Sequence, residues 1–149
     1  MSPAAKRMRK QKETVMITNK ELYKTAKNAA SNAYAPYSGF KVGAALLTKD
    51  GNVFTGVNIE NASYPAGICA ERSAFAAAIS AGYREFKAIA VCSGSGSAWP
   101  CGVCRQFMFE FGENLRVISG EDEDHLEEYR ICELLPKGFR LCVSYLAIY

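Results

Sequence analysis

Three cysteines and a glutamate carry the chemistry this sequence could do: Cys69-Ala70-Glu71 and, further along, Pro100-Cys101-Gly102-Val103-Cys104. Together they can hold a metal ion and leave one coordination position open, which is the outline of a catalytic rather than a structural zinc site. A structural site would close the tetrahedron with a fourth Cys or His. The sequence offers none, because its single histidine, His125, follows the acidic run Glu121-Asp122-Glu123-Asp124. Water then takes the fourth place.

Local geometry supports the same chemistry. Pro is tolerated at a helix start, where its missing N–H would be unpaired anyway, and the i, i+3 spacing of Cys101 and Cys104 sets both sulfurs near one end of a first turn. Cys69, just inside a second helix, shares that environment, and the partial positive charge of a helix N-terminus lowers a thiol pKa. Three thiolates leave a zinc cluster net negative, a reluctant Lewis acid. Arg72, one residue beyond Glu71, is placed to donate charge-assisted hydrogen bonds to the sulfurs and restore that acidity, with Arg105 as a second candidate. Asn58 and Glu60 lie two apart on extended chain, so both side chains face the same way. Glu60 can accept hydrogen bonds from a ribose hydroxyl, and Asn58 can both donate and accept.

Cys-Ala-Glu-Arg at 69–72 and Pro-Cys-x-x-Cys-Arg-Gln at 100–106 resemble the zinc deaminases. The all-cysteine ligand set resembles, within them, the small cytidine deaminases that act on free nucleosides. The likeness runs from about Ser31 to Phe139, most of the chain. It implies one Zn²⁺ per subunit, held by Cys69, Cys101 and Cys104, with Glu71 as the proton shuttle. Glu71 would take a proton from the metal-held water, deliver one to N3 of the pyrimidine as hydroxide attacks C4, and help protonate the departing amine. The implied reaction is hydrolytic deamination of cytidine and 2′-deoxycytidine to the uridines with release of ammonia, a step of pyrimidine salvage.

The same resemblance implies the substrate contacts. Asn58 and Glu60 would grip the sugar 3′-hydroxyl, Phe40 would pack on the pyrimidine, and Ala70 would also touch the substrate. Tyr64 and Phe139 match positions that reach into a neighbouring subunit's site, so the resemblance implies a homotetramer whose pockets are completed by neighbours. A carboxylate at the 3′-hydroxyl also excludes. A phosphate there would stand about 4 Å from Glu60, a repulsion of roughly 4 kcal/mol at an effective dielectric near 20. Free nucleosides are favoured over nucleic-acid strands. Two other readings stay open: a blasticidin-S deaminase, which shares the zinc motifs and Glu133-Leu134-Leu135-Pro136, and a noncatalytic zinc-stabilised interaction module. Asn58-Ile59-Glu60 favours the nucleoside enzyme. Trp99 departs from the family, which commonly has a small hydroxyl residue before the Pro-Cys.

The bulk properties suit such an enzyme. At 149 residues and 49% hydrophobic composition, one domain with a real core is expected. The net charge of +3 owes five positive charges to Lys6, Arg7, Arg9, Lys10 and Lys12, all before the first acid, Glu13, and the remainder is mildly acidic. That is a poor nucleic-acid surface. Residues 1–17 read as a basic, disordered tail that could carry a nuclear-import signal, and 18–149 as a single catalytic domain. No apolar stretch reaches the roughly 20 residues of a membrane span, and no apolar h-region follows the basic leader. A cytoplasmic protein is expected. Of the six cysteines, Cys92, Cys132 and Cys142 sit in apolar runs and read as reduced, buried thiols.

The elements that must position these residues follow from periodicity and punctuation. Thr18-Asn19-Lys20-Glu21 has capping-box spacing before a helix to about Ala33. Val42–Thr48 and Val53–Val57 read as a hairpin turned at Asp50-Gly51, and Ile68–Ala81 as a helix ended by Gly82. Phe86–Cys92 reads as a buried strand, Ser93–Ser97 as a loop and Cys101–Phe111 as a helix ended by Gly112. Leu115–Ser119 and Glu128–Ile131 read as strands, the acidic run as a surface loop, and Glu133–Leu135 as a helical turn stopped by Pro136. The alternation predicts an α/β fold, a three-layer α/β/α sandwich around a mixed sheet of about five strands.

Overall fold

Thr18 opens the first helix, as its spacing from Glu21 requires. Its hydroxyl accepts the Glu21 N–H, and the Glu21 carboxylate accepts the Thr18 N–H at 2.8 Å. The computed structural model describes residues 16–141, so the basic leader, Cys142 and the rest of the apolar tail to Tyr149 lie outside the described residues. Helix α1 (Asn19–Ala30) stops short of the expected Ala33. The chain must extend to let Tyr34 bridge Ile59, and a helix cannot supply that backbone.

Strands β1 (Val42–Thr48), β2 (Val53–Val57), β3 (Phe86–Ser93), β4 (Gly96–Ser97), β5 (Arg116–Gly120) and β6 (Leu126–Arg130) form one sheet, ordered β2-β1-β3-β5-β6 with β4 paired to the end of β3. Only β3 and β5 run parallel. A parallel pair needs a crossover, and here it contains helix α3 (Gly102–Phe109). Helix α2 (Ala70–Ser80) links β2 to β3 and ends with Gly82 in the left-handed region at φ 98°. Tyr83 N–H bonds back to Ala78 O there, as in a Schellman motif.

Among the described residues the sheet has the expected five or so strands in its main order and a sixth, two-residue strand beside β3. The Gly/Ser segment after β3 is not a loop: Gly96, at φ 129°, lets it fold back and pair with Cys92 and Ser93. The last strand occupies Leu126–Arg130 instead of Glu128–Ile131, and fully buried Ile131 opens the short helix α4 (Ile131–Leu134). Gly120 permits the early start, since a Cβ on it would stand 2.1 Å from His125 O.

Period-two alternation divides the core between the two faces. Ala44, Leu46, Ile89, Val91 and Val117 face α2, α3 and α4, where Phe75, Met108 and Ile131 fill the layer. Ala45, Leu47, Ala88, Ala90, Cys92 and Ile118 face α1 through Leu22, Tyr23 and Ala26. Two glycines set the helix-to-sheet distances. A Cβ on Gly43 would stand 2.0 Å from Ala26 O, and one on Gly56 would stand 2.2 Å from Ala74 N and 2.4 Å from Ala70 O. The first turns of α2 are thereby pressed onto the hairpin.

Candidate active site

Helices α2 and α3 begin side by side. Cys69 is the N-cap of α2 (φ −76°, ψ 156°) and Cys101 the N-cap of α3 (φ −67°, ψ 169°). This corrects the sequence reading by one position at each helix: Cys69 lies just outside its helix, and Pro100 precedes the cap rather than occupying the first turn. The correction has a chemical consequence. A capping residue has extended backbone while its side chain faces the unpaired N–H groups of the helix start, an electropositive place for a thiolate. Neither thiol caps its own helix, and the two sulfurs lie 3.9 Å apart.

Cys104, in the first turn of α3 and fully buried, completes the group: the Sγ atoms of Cys69, Cys101 and Cys104 all lie within 4.8 Å of one another. Tetrahedral zinc with bonds of about 2.3 Å needs sulfurs about 3.8 Å apart, so these three fit zinc with small adjustments. His125 is not part of the group and pairs with Asp122 at 2.8 Å on the exposed acidic turn. The thiols share protons unequally. The hydrogen bond with Cys104 and the Arg72 guanidinium pull Cys69 down to about 5, and that same bond, with burial, pushes the Cys104 thiol up. The cluster thus favours thiolate at Cys69.

Glu71 sits two residues past the α2 cap, 4% exposed, and lines the same cleft as Cys69 and Cys101. Burial, with the neighbouring Cys69 charge, raises its carboxyl above the ordinary range. A carboxyl so placed holds a proton more readily than a solvated one and can still give it up. Arg72 Nη2 points at Cys69 Sγ at 3.8 Å, and its Nε is buried with no partner among the described residues. Arg105 turns the other way. Its Nε donates to Pro100 O at 2.8 Å and its Nη1 to Leu134 O at 2.9 Å, so it does not serve the sulfurs as the sequence suggested.

The cleft has a volume of about 610 Å³ and gathers Phe40, Asn58, Glu60, Tyr64 and Ala70 beside Cys69, Glu71 and Cys101. Asn58 and Glu60 face it together, but each is already engaged. Asn58 accepts from Val42 N–H and donates to Phe40 O, both at 2.8 Å, and so fixes the Phe40 backbone. Glu60 accepts from the Ser38 hydroxyl and from the N–H groups of Tyr37 (2.8 Å) and Ser38 (3.2 Å), which hold its carboxyl below the usual range. It stays anionic at neutral pH. The pair therefore shapes the wall as well as lining it.

Tyr64 is 81% exposed at the rim, and Phe139, 70% exposed, stands outside the cleft of a single chain, its carbonyl accepting from Gln106 Nε2 at 2.9 Å. Sequence reasoning missed Tyr37 and Ser38. The available signal was Gly39, whose φ of 69° turns the chain between Ser38 and Phe40. Trp99 lines the cleft and packs edge-on against Tyr129 of β6, ring centroids 5.3 Å apart, a contact no local pattern announces.

Comparison with known proteins adds to this geometry. Residues 16–120 match the family described as the cytidine and deoxycytidylate deaminase zinc-binding region. The chain is 53% identical over 116 residues to a protein of Dictyostelium discoideum named "Probable cytidine deaminase", covering 76% of this chain and 78% of that one. It is 48% identical over 120 residues to a cytidine deaminase of Halalkalibacterium halodurans, covering 79% and 91%. The crystal structure of cytidine deaminase from Burkholderia pseudomallei superposes with a TM-score of 0.77 at 48% identity, covering 83% of this chain and all of that one.

Proposed function

From the premise that this chain belongs to the cytidine and deoxycytidylate deaminase zinc-binding family, we propose that it catalyses the hydrolytic deamination of cytidine and 2′-deoxycytidine to the uridines and ammonia. One observation carries the reading: three thiols that fit zinc and a buried carboxyl share a cleft with two polar residues suited to a sugar.

Cys69, Cys101 and Cys104 hold Zn²⁺ as thiolates, and bound zinc supplies the Lewis acidity that makes a water acidic near neutral pH. Glu71 accepts the proton of the attacking water and places a proton on N3 of the base. It then takes the remaining proton of the hydroxyl added at C4 and gives it to the 4-amino group as the C4–N bond breaks and ammonia leaves, so the carboxylate ends as it began. Its raised pKa suits a group that must both take and give. Arg72 offsets the surplus negative charge of three thiolates by donating toward Cys69 Sγ. Glu60 and Asn58 present an acceptor and an amide to the sugar 3′-hydroxyl, while Phe40, held by Asn58, and Ala70 contact the substrate.

Tyr64 and Phe139 belong, in this reading, to a homotetramer in which each completes a neighbour's pocket, consistent with their exposure in one chain. The thiolate ligands require a reducing compartment, which supports a cytoplasmic salvage enzyme. No helix among the described residues is long and apolar enough to cross a membrane. Metal analysis together with the ultraviolet loss of cytidine absorbance tests the proposal. One zinc per chain and turnover of cytidine, not of blasticidin S, are expected. A zinc-free chain, or one turning over blasticidin S alone, would refute it.

A further inference from the structure

Cys101 is given a ligand's task on a turn that packing holds only at its ends. Pro100 and Cys104 are fully buried, while Cys101, Gly102 and Val103 between them are all exposed, Val103 by 63%. Hydrogen bonds from Arg105 hold the exposed part. The backbone N–H of Arg105 donates to Cys101 O at 2.9 Å, and its side-chain Nε donates to Pro100 O at 2.8 Å. Those two carbonyls belong to the peptide planes on either side of the Cys101 Cα. Fixing both fixes φ and ψ of the ligand and hence the direction of its Cα–Cβ bond, from which Sγ projects.

The same guanidinium reaches a rigid support. Its Nη1 donates to Leu134 O at 2.9 Å, at the end of α4. That helix starts from Ile131, fully buried in the core, and its first turn is closed by the Glu133 carboxylate accepting Arg130 N–H at 2.7 Å. The planar guanidinium spans the two carbonyls with separate nitrogens, a task that an ammonium point charge cannot duplicate.

We propose that Arg105 is a positioning residue for the metal centre: it braces the exposed turn carrying Cys101 against α4, which Ile131 anchors in the core, and so slows the loss of zinc. This rests on the reading that Cys69, Cys101 and Cys104 bind zinc. Gln106 provides an internal control, because its Nε2 bonds Phe139 O on the same C-terminal stretch without touching Pro100 or Cys101.

The test is the rate at which the zinc-loaded full chain passes its metal to a chromogenic chelator, with the thiolate-to-metal band of the cobalt-substituted protein as a second readout. Arg105→Ala should release zinc about 10–100-fold faster, the usual effect of removing a support of a metal ligand, and should perturb the cobalt band. Arg105→Lys keeps the charge and one hydrogen bond and should fall between. Gln106→Ala should match wild type. A folded Arg105→Ala protein releasing zinc at the wild-type rate would overturn the proposal, as would equal acceleration by Gln106→Ala. Should Arg105→Ala not fold, Arg105→Lys decides: faster release supports the brace and a wild-type rate refutes it. A wild-type chain that takes up no zinc would overturn the metal reading and this inference together, whereas zinc-loaded wild type with unaltered variants overturns this inference alone.

Discussion

At the start of α2, Cys69 caps a helix whose first turns are buried: Ala70 and Ala74 have no exposure and Glu71 only 4%. At the start of α3, Cys101 caps a helix whose first two residues face solvent, and only Cys104 turns inward. The two starts share a backbone conformation and meet at the same cluster, yet one is held by close packing on Gly56 and the other by buried Pro100 and Cys104 at its flanks with the hydrogen bonds of Arg105 between them. Glu71, the proposed proton carrier, stands on the packed side. That division suits the chemistry, since burial is what raises the Glu71 carboxyl, while the exposed side leaves the cleft open.

The largest effect that would sharpen this contrast is Glu71→Gln. Removing the proton carrier should lower cytidine turnover by about 10²–10⁴-fold while zinc content stays at the wild-type level, read by the ultraviolet assay and metal analysis. Retained turnover would take the chemistry away from the packed side.

Next comes the same small substitution at each start. Gly56→Ala places a methyl within 2.4 Å of α2 backbone atoms and should cost about 1–3 kcal/mol or more, seen as a lowered thermal midpoint. Gly102→Ala meets nothing within 4 Å and should change stability by less than about 0.5 kcal/mol. Equal costs would erase the distinction between the two starts.

A moderate effect is expected at Arg72, the α2 counterpart of Arg105. Arg72→Ala removes a donor to Cys69 Sγ and should weaken zinc binding about tenfold, measured by competition with a chelator of known affinity. The ligand itself remains packed in place. An unchanged affinity would leave the buried guanidinium without a role at the metal.

Both helix starts were legible in the sequence to within two residues, and the end of α2 as closely, because Pro100, the i, i+3 cysteines and Gly82 are local signals. Cys-Ala-Glu with Pro-Cys-x-x-Cys singled out three thiols and a carboxyl by equally local signals, and the fold brings the three sulfurs within 4.8 Å of one another. The two-residue β4 was not legible: Gly96 and Ser97 read as loop until Cys92 and Ser93 offer a partner. Arg105 was assigned to the sulfurs on proximity in sequence, whereas Leu134, distant along the chain, competes for its guanidinium. Asn58 and Glu60 were placed on one face of the cleft but not on their partners, because nothing local tells that Phe40, Val42, Tyr37 and Ser38 will return to meet them.

The amino-acid order by itself determined which groups can ligate, carry a proton or accept from a sugar, since residue type and spacing along a helix or strand are local properties. Only the tertiary structure decided that Cys69 meets Cys101, that Trp99 rests on Tyr129, and which arginine serves sulfur and which serves backbone. Those outcomes depend on contacts between segments far apart in the chain. They are fixed by how closely two helices can settle on glycines in a shared sheet.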